Sequence, residues 1–124
     1  ADSCFSGAVF RSDESIAAAA GASSEVLQAL IDRKSRVALT SGGLEPVIDS
    51  SSNGATSIFA QELQKALSVQ EGAVSAGQIF QLVRDKVAAR SKSAGYEQVP
   101  EFSPLYGAGH DGGDFIFRRL NVTD

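Results

Sequence analysis

The sequence predicts an α/β domain in which helices cover a sheet. Short apolar runs bounded by glycine or polar loops alternate with longer stretches of helical spacing, in the order strand, helix, strand, two helices, strand. At 124 residues, 43% apolar and 21% charged, the chain has ordinary globular usage and suits one domain or a large part of one. A compact body of this size buries roughly two-thirds of its unfolded surface, enough to build a core. No internal repeat is visible.

Ala8-Val9-Phe10-Arg11 reads as a strand end or a first helical turn. Residues 12–24, rich in Ala, Ser and acidic side chains, read as a surface connection with partial helix, because Ala favours helix and Gly21 does not. Ser23 or Ser24 then caps a helix whose apolar side is Val26, Leu27, Leu30 and Ile31. Asp32-Arg33-Lys34-Ser35-Arg36 breaks that spacing, and its cations suit a helix C-terminus. Val37-Ala38-Leu39-Thr40-Ser41, ending at Gly42-Gly43, has the length of a buried strand feeding a loop. After a polar loop at 49–54, residues 57–67 form a helix with Ile58, Phe59, Leu63, Ala66 and Leu67 on one side. Ser75-Ala76-Gly77-Gln78 makes a capping box for a helix to about Arg90 that buries Ile79, Phe80, Val83 and Val87. Residues 92–104 read as loop, since Pro100 and Pro104 exclude helix. Asp114-Phe115-Ile116-Phe117-Arg118 reads as the final strand.

Composition excludes several classes of function. The net charge of −4 argues against electrostatic capture of nucleic acid, and no apolar run has the roughly 18 residues that span a bilayer. One cysteine, Cys4, rules out an internal disulfide framework; one histidine, His110, rules out a His/Cys zinc cage. With no secretory signal, the expected setting is cytoplasmic, and Asn121-Val122-Thr123 reads as a chance glycosylation sequon.

Cys4 is the strongest candidate nucleophile. A free thiol titrates near about 8.5, so it needs an adjacent base or a helix N-terminus to act as thiolate. Ser6-Gly7 permits a tight turn straight after it, which would expose Cys4 at the C-terminal end of a strand, the edge where open α/β sheets bind ligands. A phosphatase cradle would need Arg six positions after the cysteine, where Phe10 stands.

Asp2-Ser3-Cys4-Phe5-Ser6-Gly7 resembles the nucleophile motif of the caspase-like cysteine peptidases, in the metacaspase and bacterial caspase-homologue branch. The similarity continues through Val37-Ala38-Leu39-Thr40-Ser41-Gly42, Ser57-Ile58-Phe59-Ala60-Gln61-Glu62-Leu63, Gln98-Val99-Pro100-Glu101 and Gly112-Gly113-Asp114-Phe115-Ile116-Phe117, in the family's order. Phe5 replaces the His common at its place. The resemblance implies a caspase-like (caspase-hemoglobinase) fold, a mostly parallel sheet flanked by helices, with residues 1–124 as the C-terminal part of one such domain. It implies that Cys4 attacks a peptide carbonyl to form a thioacyl-enzyme, its backbone N–H donating to the oxyanion. Asp2 matches an aspartate lining the S1 pocket of metacaspases, which favour Arg or Lys; a carboxylate suits a guanidinium bidentately. Ser41 and Gly42 match the segment that pairs with the substrate backbone.

Caspase-type enzymes take their base from a His roughly 50 residues before the Cys, whereas three residues precede Cys4. The chain also has no methionine and opens directly on the motif, which reads as a cut through a longer polypeptide. The expected partner is therefore the complementary N-terminal part of the domain, carrying the base, and this chain alone is expected to be inactive. No cofactor is required for the chemistry. Asp13 and Glu14 lie where calcium-activated relatives carry one acidic ligand, the remaining ligands lying upstream. Arg11, Arg33, Lys34 and Arg36 lie in a connection that an enzyme of basic specificity would cut in itself. A reading from another class is a catalytically inactive caspase-like scaffold or signalling module. Gly107-Ala108-Gly109-His110-Asp111-Gly112 satisfies a dinucleotide fingerprint in letters, but no helix follows it, so it reads as a loop with His110 on its surface.

Overall fold

The computed structural model describes residues 23–43 and 56–119. Cys4, Asp2, the segment before Ser23, the loop at 49–54 and the sequon lie outside these residues. Three helices, α1 (Ser24–Asp32), α2 (Ile58–Val69) and α3 (Ala76–Ser93), alternate with four short strands: β1 (Val37–Thr40), β2 (Ala73–Ser75), β3 (Glu101–Pro104) and β4 (Ile116–Arg118).

The helices start where their side chains can satisfy orphan N–H groups. Ser23 accepts from the Val26 N–H, and Ser57 from the Ala60 N–H at 3.0 Å. At α3 the capping box is complete: Ser75 Oγ accepts from Gln78 N at 3.2 Å, and Gln78 Oε1 accepts from Ser75 N at 2.9 Å. This helix passes Arg90 and ends in a Schellman turn. Gly95, at φ 85°, donates to the Lys92 carbonyl, and Tyr96 donates to the Ser91 carbonyl. Glycine takes that left-handed position without steric cost.

Helices α2 and α3 pack face to face around Ile58, Phe59, Ala66, Ile79, Val83 and Val87, with Val74 of β2 closing one end. Ile79, Val83 and Val87 recur every four residues, and each such buried side chain contributes about 1.5–3 kcal/mol. Phe80 is half-buried and stacks on Phe102 of β3 at 5.5 Å, and the Arg84 guanidinium also lies over the Phe80 ring. Along α1 only Leu27 and Leu30 are half-buried; Val26 and Ile31 are exposed. The cations of the 33–36 segment lie beyond the last turn of α1, because the backbone turns extended at Arg33.

The strands form two antiparallel pairs. β1 pairs with β3 in the register Val37↔Pro104, Leu39↔Phe102, Thr40↔Glu101, and β2 pairs with β4 through Ala73↔Arg118 and Ser75↔Ile116. This arrangement and the α2–α3 layer make a mixed α/β body; parallel pairing does not occur among the described residues. The expected loop at 92–104 contains β3. Pro100 and Pro104 do exclude helix, but Pro104 at the strand end still allows Glu101–Ser103 to bond with β1. Strand β2, three residues long, carried no periodic signal. The 107–112 stretch is a loop with Gly107, Gly109 and Gly112 at positive φ, entered from β3 and leaving into β4. Among the described residues no helix is long and apolar enough to cross a membrane.

Candidate active site

The C-terminal end of β1 is a fully buried polar part of the described chain. Thr40 and Ser41 are fully buried, and Gly42 and Gly43 are buried after them. Two elements hold this end. Glu101 of β3 accepts from Thr40 Oγ1 through its carbonyl at 3.4 Å. Gln98, 1% exposed, donates from Nε2 to the Ser41 carbonyl at 2.9 Å. The Gln98 carbonyl in turn accepts from Ser91 Oγ at 3.2 Å, so the last turn of α3 anchors the residue that anchors β1. The fully buried Pro100 stiffens the chain between Gln98 and β3.

Thus Ser41 and Gly42 sit together at one strand end, on a backbone fixed from two sides. Cys4 and Asp2 lie outside the described residues. Positions 40–43 and 98–100 carry no titratable side chain, so this strand end offers oriented peptide groups and hydroxyls. Among the described residues no group of three or more His, Cys, Asp or Glu could hold a metal ion.

A second constellation lies at the start of β1. The 33–36 segment is clasped by the 105–114 loop: the Lys34 carbonyl accepts from Asp111 N and Gly113 N, and the Arg36 carbonyl accepts from Leu105 N. His110, in this loop and half-buried, accepts the Arg36 N–H on Nδ1 at 3.1 Å. Asp114, 7% exposed, joins this clasp to α3. Its carboxylate accepts from Gly77 N at 2.9 Å, in the first turn of that helix, and from Phe115 N at 2.8 Å. Burial raises its pKa; the two N–H donors and the nearby His110 oppose the rise without cancelling it.

The third polar group is structural. Glu62, inward-facing on α2 and 3% exposed, accepts from Arg90 Nη1 at 2.7 Å, and Gln61 accepts from Arg90 Nη2 at 3.0 Å. Burial works to raise the Glu62 carboxyl, but the hydrogen bond from Arg90 and the charge of Lys65 outweigh it, and its pKa is lowered.

The sequence alone gives no role to Gln98, although it stands in the Gln98-Val99-Pro100-Glu101 block, nor to Glu62, whose place beside Leu63 and Ala66 on the apolar side of the helix is the available signal.

The family model of the caspase domain matches residues 11–105. The match begins after the Cys4 hexapeptide and ends at the entry to the 107–112 loop. No curated protein and no solved structure matches the chain.

Proposed function

The chain belongs to the caspase-domain family of peptidases, and from that premise we propose that it forms part of a cysteine endopeptidase of the metacaspase and bacterial caspase-homologue branch. The observation that carries this reading is a single juxtaposition: the Asp2-Ser3-Cys4-Phe5-Ser6-Gly7 hexapeptide ends three residues ahead of the matched residues. In the proposed reaction the Cys4 thiolate adds to the carbonyl carbon of the scissile bond. The C–N bond then breaks, leaving an acyl group on sulfur, and a histidine from the complementary N-terminal part delivers to the leaving amine the proton it took from the thiol. Water, deprotonated by the same imidazole, hydrolyses the thioester and restores the enzyme. Asp2 pairs with an Arg or Lys side chain ahead of the cut bond. Ser41 and Gly42 present the backbone along which the substrate lies, and the anchoring of the β1 end by Gln98 and Glu101 supports that role. The proposed setting is cytoplasmic, where a lone thiol stays reduced.

The test uses the polypeptide that joins this chain to the histidine-bearing segment, assayed on fluorogenic peptides ending in Arg, Lys or Asp, with and without calcium. Turnover of the Arg and Lys substrates, lost in Cys4→Ala at unchanged far-UV circular dichroism, is the expected result. Asp2→Ala should lower kcat/KM on basic substrates by about tenfold or more, the loss of one charge-assisted pair. If the well-folded parent turns over none of them, the non-catalytic scaffold replaces this reading.

A further inference from the structure

A cleft of about 500 Å³ lies at the start of β1. Its lining offers two kinds of surface. Arg33, Lys34, Ser35 and Arg36 supply three cations and a hydroxyl, while Ile31 and Phe115, 54% and 53% exposed, supply apolar area. Asp114 is the one carboxylate in the lining, and both its oxygens already accept, from Gly77 N and Phe115 N. Arg33, Lys34 and Arg36 form no ion pair among the described residues, although like charges drawn together repel one another. The Ser35 Oγ is buried and has no hydrogen-bond partner among the described residues. A buried hydroxyl left unpaired is destabilising. Both deficits are met by one kind of ligand, an anion with several acceptor oxygens.

The segment that carries these groups is held in place by the fold. The Lys34 carbonyl accepts from Asp111 N and Gly113 N, the Arg36 carbonyl accepts from Leu105 N, and the Arg36 N–H donates to His110. Arg33 lies against Gly112, where a Cβ would stand 3.2 Å from Nη1. Arg36 Nη1 donates to the Ser35 carbonyl at 2.9 Å, which leaves further guanidinium N–H groups to donate. We propose that this cleft binds an organic phosphate monoester, its dianionic head taken by Arg33, Lys34, Ser35 and Arg36 and its apolar body resting on Ile31 and Phe115. Charge selects the dianion: three cations stand against one lining carboxylate, and a phosphate monoester carries about −1.5 to −2 at neutral pH on three acceptor oxygens. A carboxylate ligand would bring a single charge. The volume falls within the roughly 300–1,000 Å³ of small-molecule sites. The proposal is independent of the peptidase reading, since Cys4 and Asp2 take no part in it.

The experiment is isothermal titration of the polypeptide that includes the histidine-bearing segment, with phenyl phosphate, inorganic phosphate and benzoate as probes. Phenyl phosphate should bind saturably and more tightly than either of the others. Arg33→Gln and Arg36→Gln should each weaken it by about tenfold or more, the loss of a charge-assisted hydrogen bond. Ser35→Ala should weaken it by about three- to tenfold, the worth of one neutral hydrogen bond. Phe115→Ala should cost phenyl phosphate about two- to tenfold and leave inorganic phosphate unchanged, because only a ring contact is lost. Lys86→Gln, on the exposed side of α3, removes a cation outside the cleft and should shift binding by less than about twofold. Should an arginine variant fail to fold, Ser35→Ala and Phe115→Ala carry the test. No saturable binding of phenyl phosphate to the folded parent overturns the proposal. An equal loss in Lys86→Gln and the arginine variants does the same, since it marks diffuse attraction. Inorganic phosphate binding as tightly as the phenyl ester overturns the assignment to an organic ester. None of these readouts involves peptide turnover, so failure here leaves the peptidase reading standing.

Discussion

Replacing Arg90 with methionine isolates the buried charge of Glu62. The substitution keeps most of the aliphatic stem but removes the guanidinium that lies 2.7 Å from a carboxylate whose side chain is 4% exposed. Breaking a fully buried ion pair costs about 3–5 kcal/mol, because the surviving charge is left without compensation. Two features reduce that figure here. The Arg90 side chain is 39% exposed, so water screens the pair, and Lys65 remains 3.5 Å from the same carboxylate oxygen. The expected loss is therefore about 2 kcal/mol at neutral pH, or roughly 8 °C in Tm at about 4 °C per kcal/mol for a chain of this size. The loss also has a direction in pH. In the parent the Glu62 pKa lies below its ordinary value, so its contribution is present above the unfolded pKa and disappears as pH falls through the folded one. Without Arg90, burial raises the pKa, and the variant is penalised increasingly as pH rises. Urea denaturation should thus show a difference between parent and variant that is large at about pH 7 and shrinks toward about pH 4. Glu62→Met combined with Arg90→Met should recover most of the loss, since an apolar pair leaves no buried charge. An equal difference at both pH values, or one under about 0.5 kcal/mol at neutral pH, would refute the argument.

Three further outcomes follow from other contacts. Gly113→Ala places a Cβ 2.2 Å from the Arg33 carbonyl oxygen; the backbone of the clasp must move, and thermal melting should show a loss of about 1–3 kcal/mol. Ser75→Ala removes half of the α3 capping box at a fully buried position, with an expected cost of about 1–2 kcal/mol by chemical denaturation. The raised pKa of Asp114 means that its contribution is fully present below the unfolded pKa and is lost as pH rises through the folded value. Relative to Asp114→Asn, which does not titrate, the parent should lose stability over that interval, measurable as a shift in urea midpoint between acid and neutral buffers.

The helices were legible because their signals are local. The serine caps at Ser23, Ser57 and Ser75 and the four-residue spacing of Ile79, Val83 and Val87 are properties of neighbouring residues. Strand β3 was not legible: Glu101-Phe102-Ser103-Pro104 is four residues long with Pro100 just ahead of it and Pro104 at its end, and it becomes a strand only because β1 supplies its hydrogen-bond partners. In the same way His110 read as a surface loop residue, since nothing near it in sequence announces the Arg36 N–H it accepts 74 positions away. Ser41 and Gly42 were marked by resemblance, while Gln98, which holds the Ser41 carbonyl, carries no sign of that contact in its neighbouring sequence.

What the chain determined by itself was therefore the helix starts and the apolar stripe of α3, each encoded within a turn or two of backbone. Tertiary structure alone decided which short extended pieces became paired strands, that Glu62 would be buried with Arg90, and that Gln98 would reach Ser41. Those outcomes depend on desolvation and on hydrogen bonds between segments tens of residues apart, and a buried polar group acquires its partner only when the fold brings one to it.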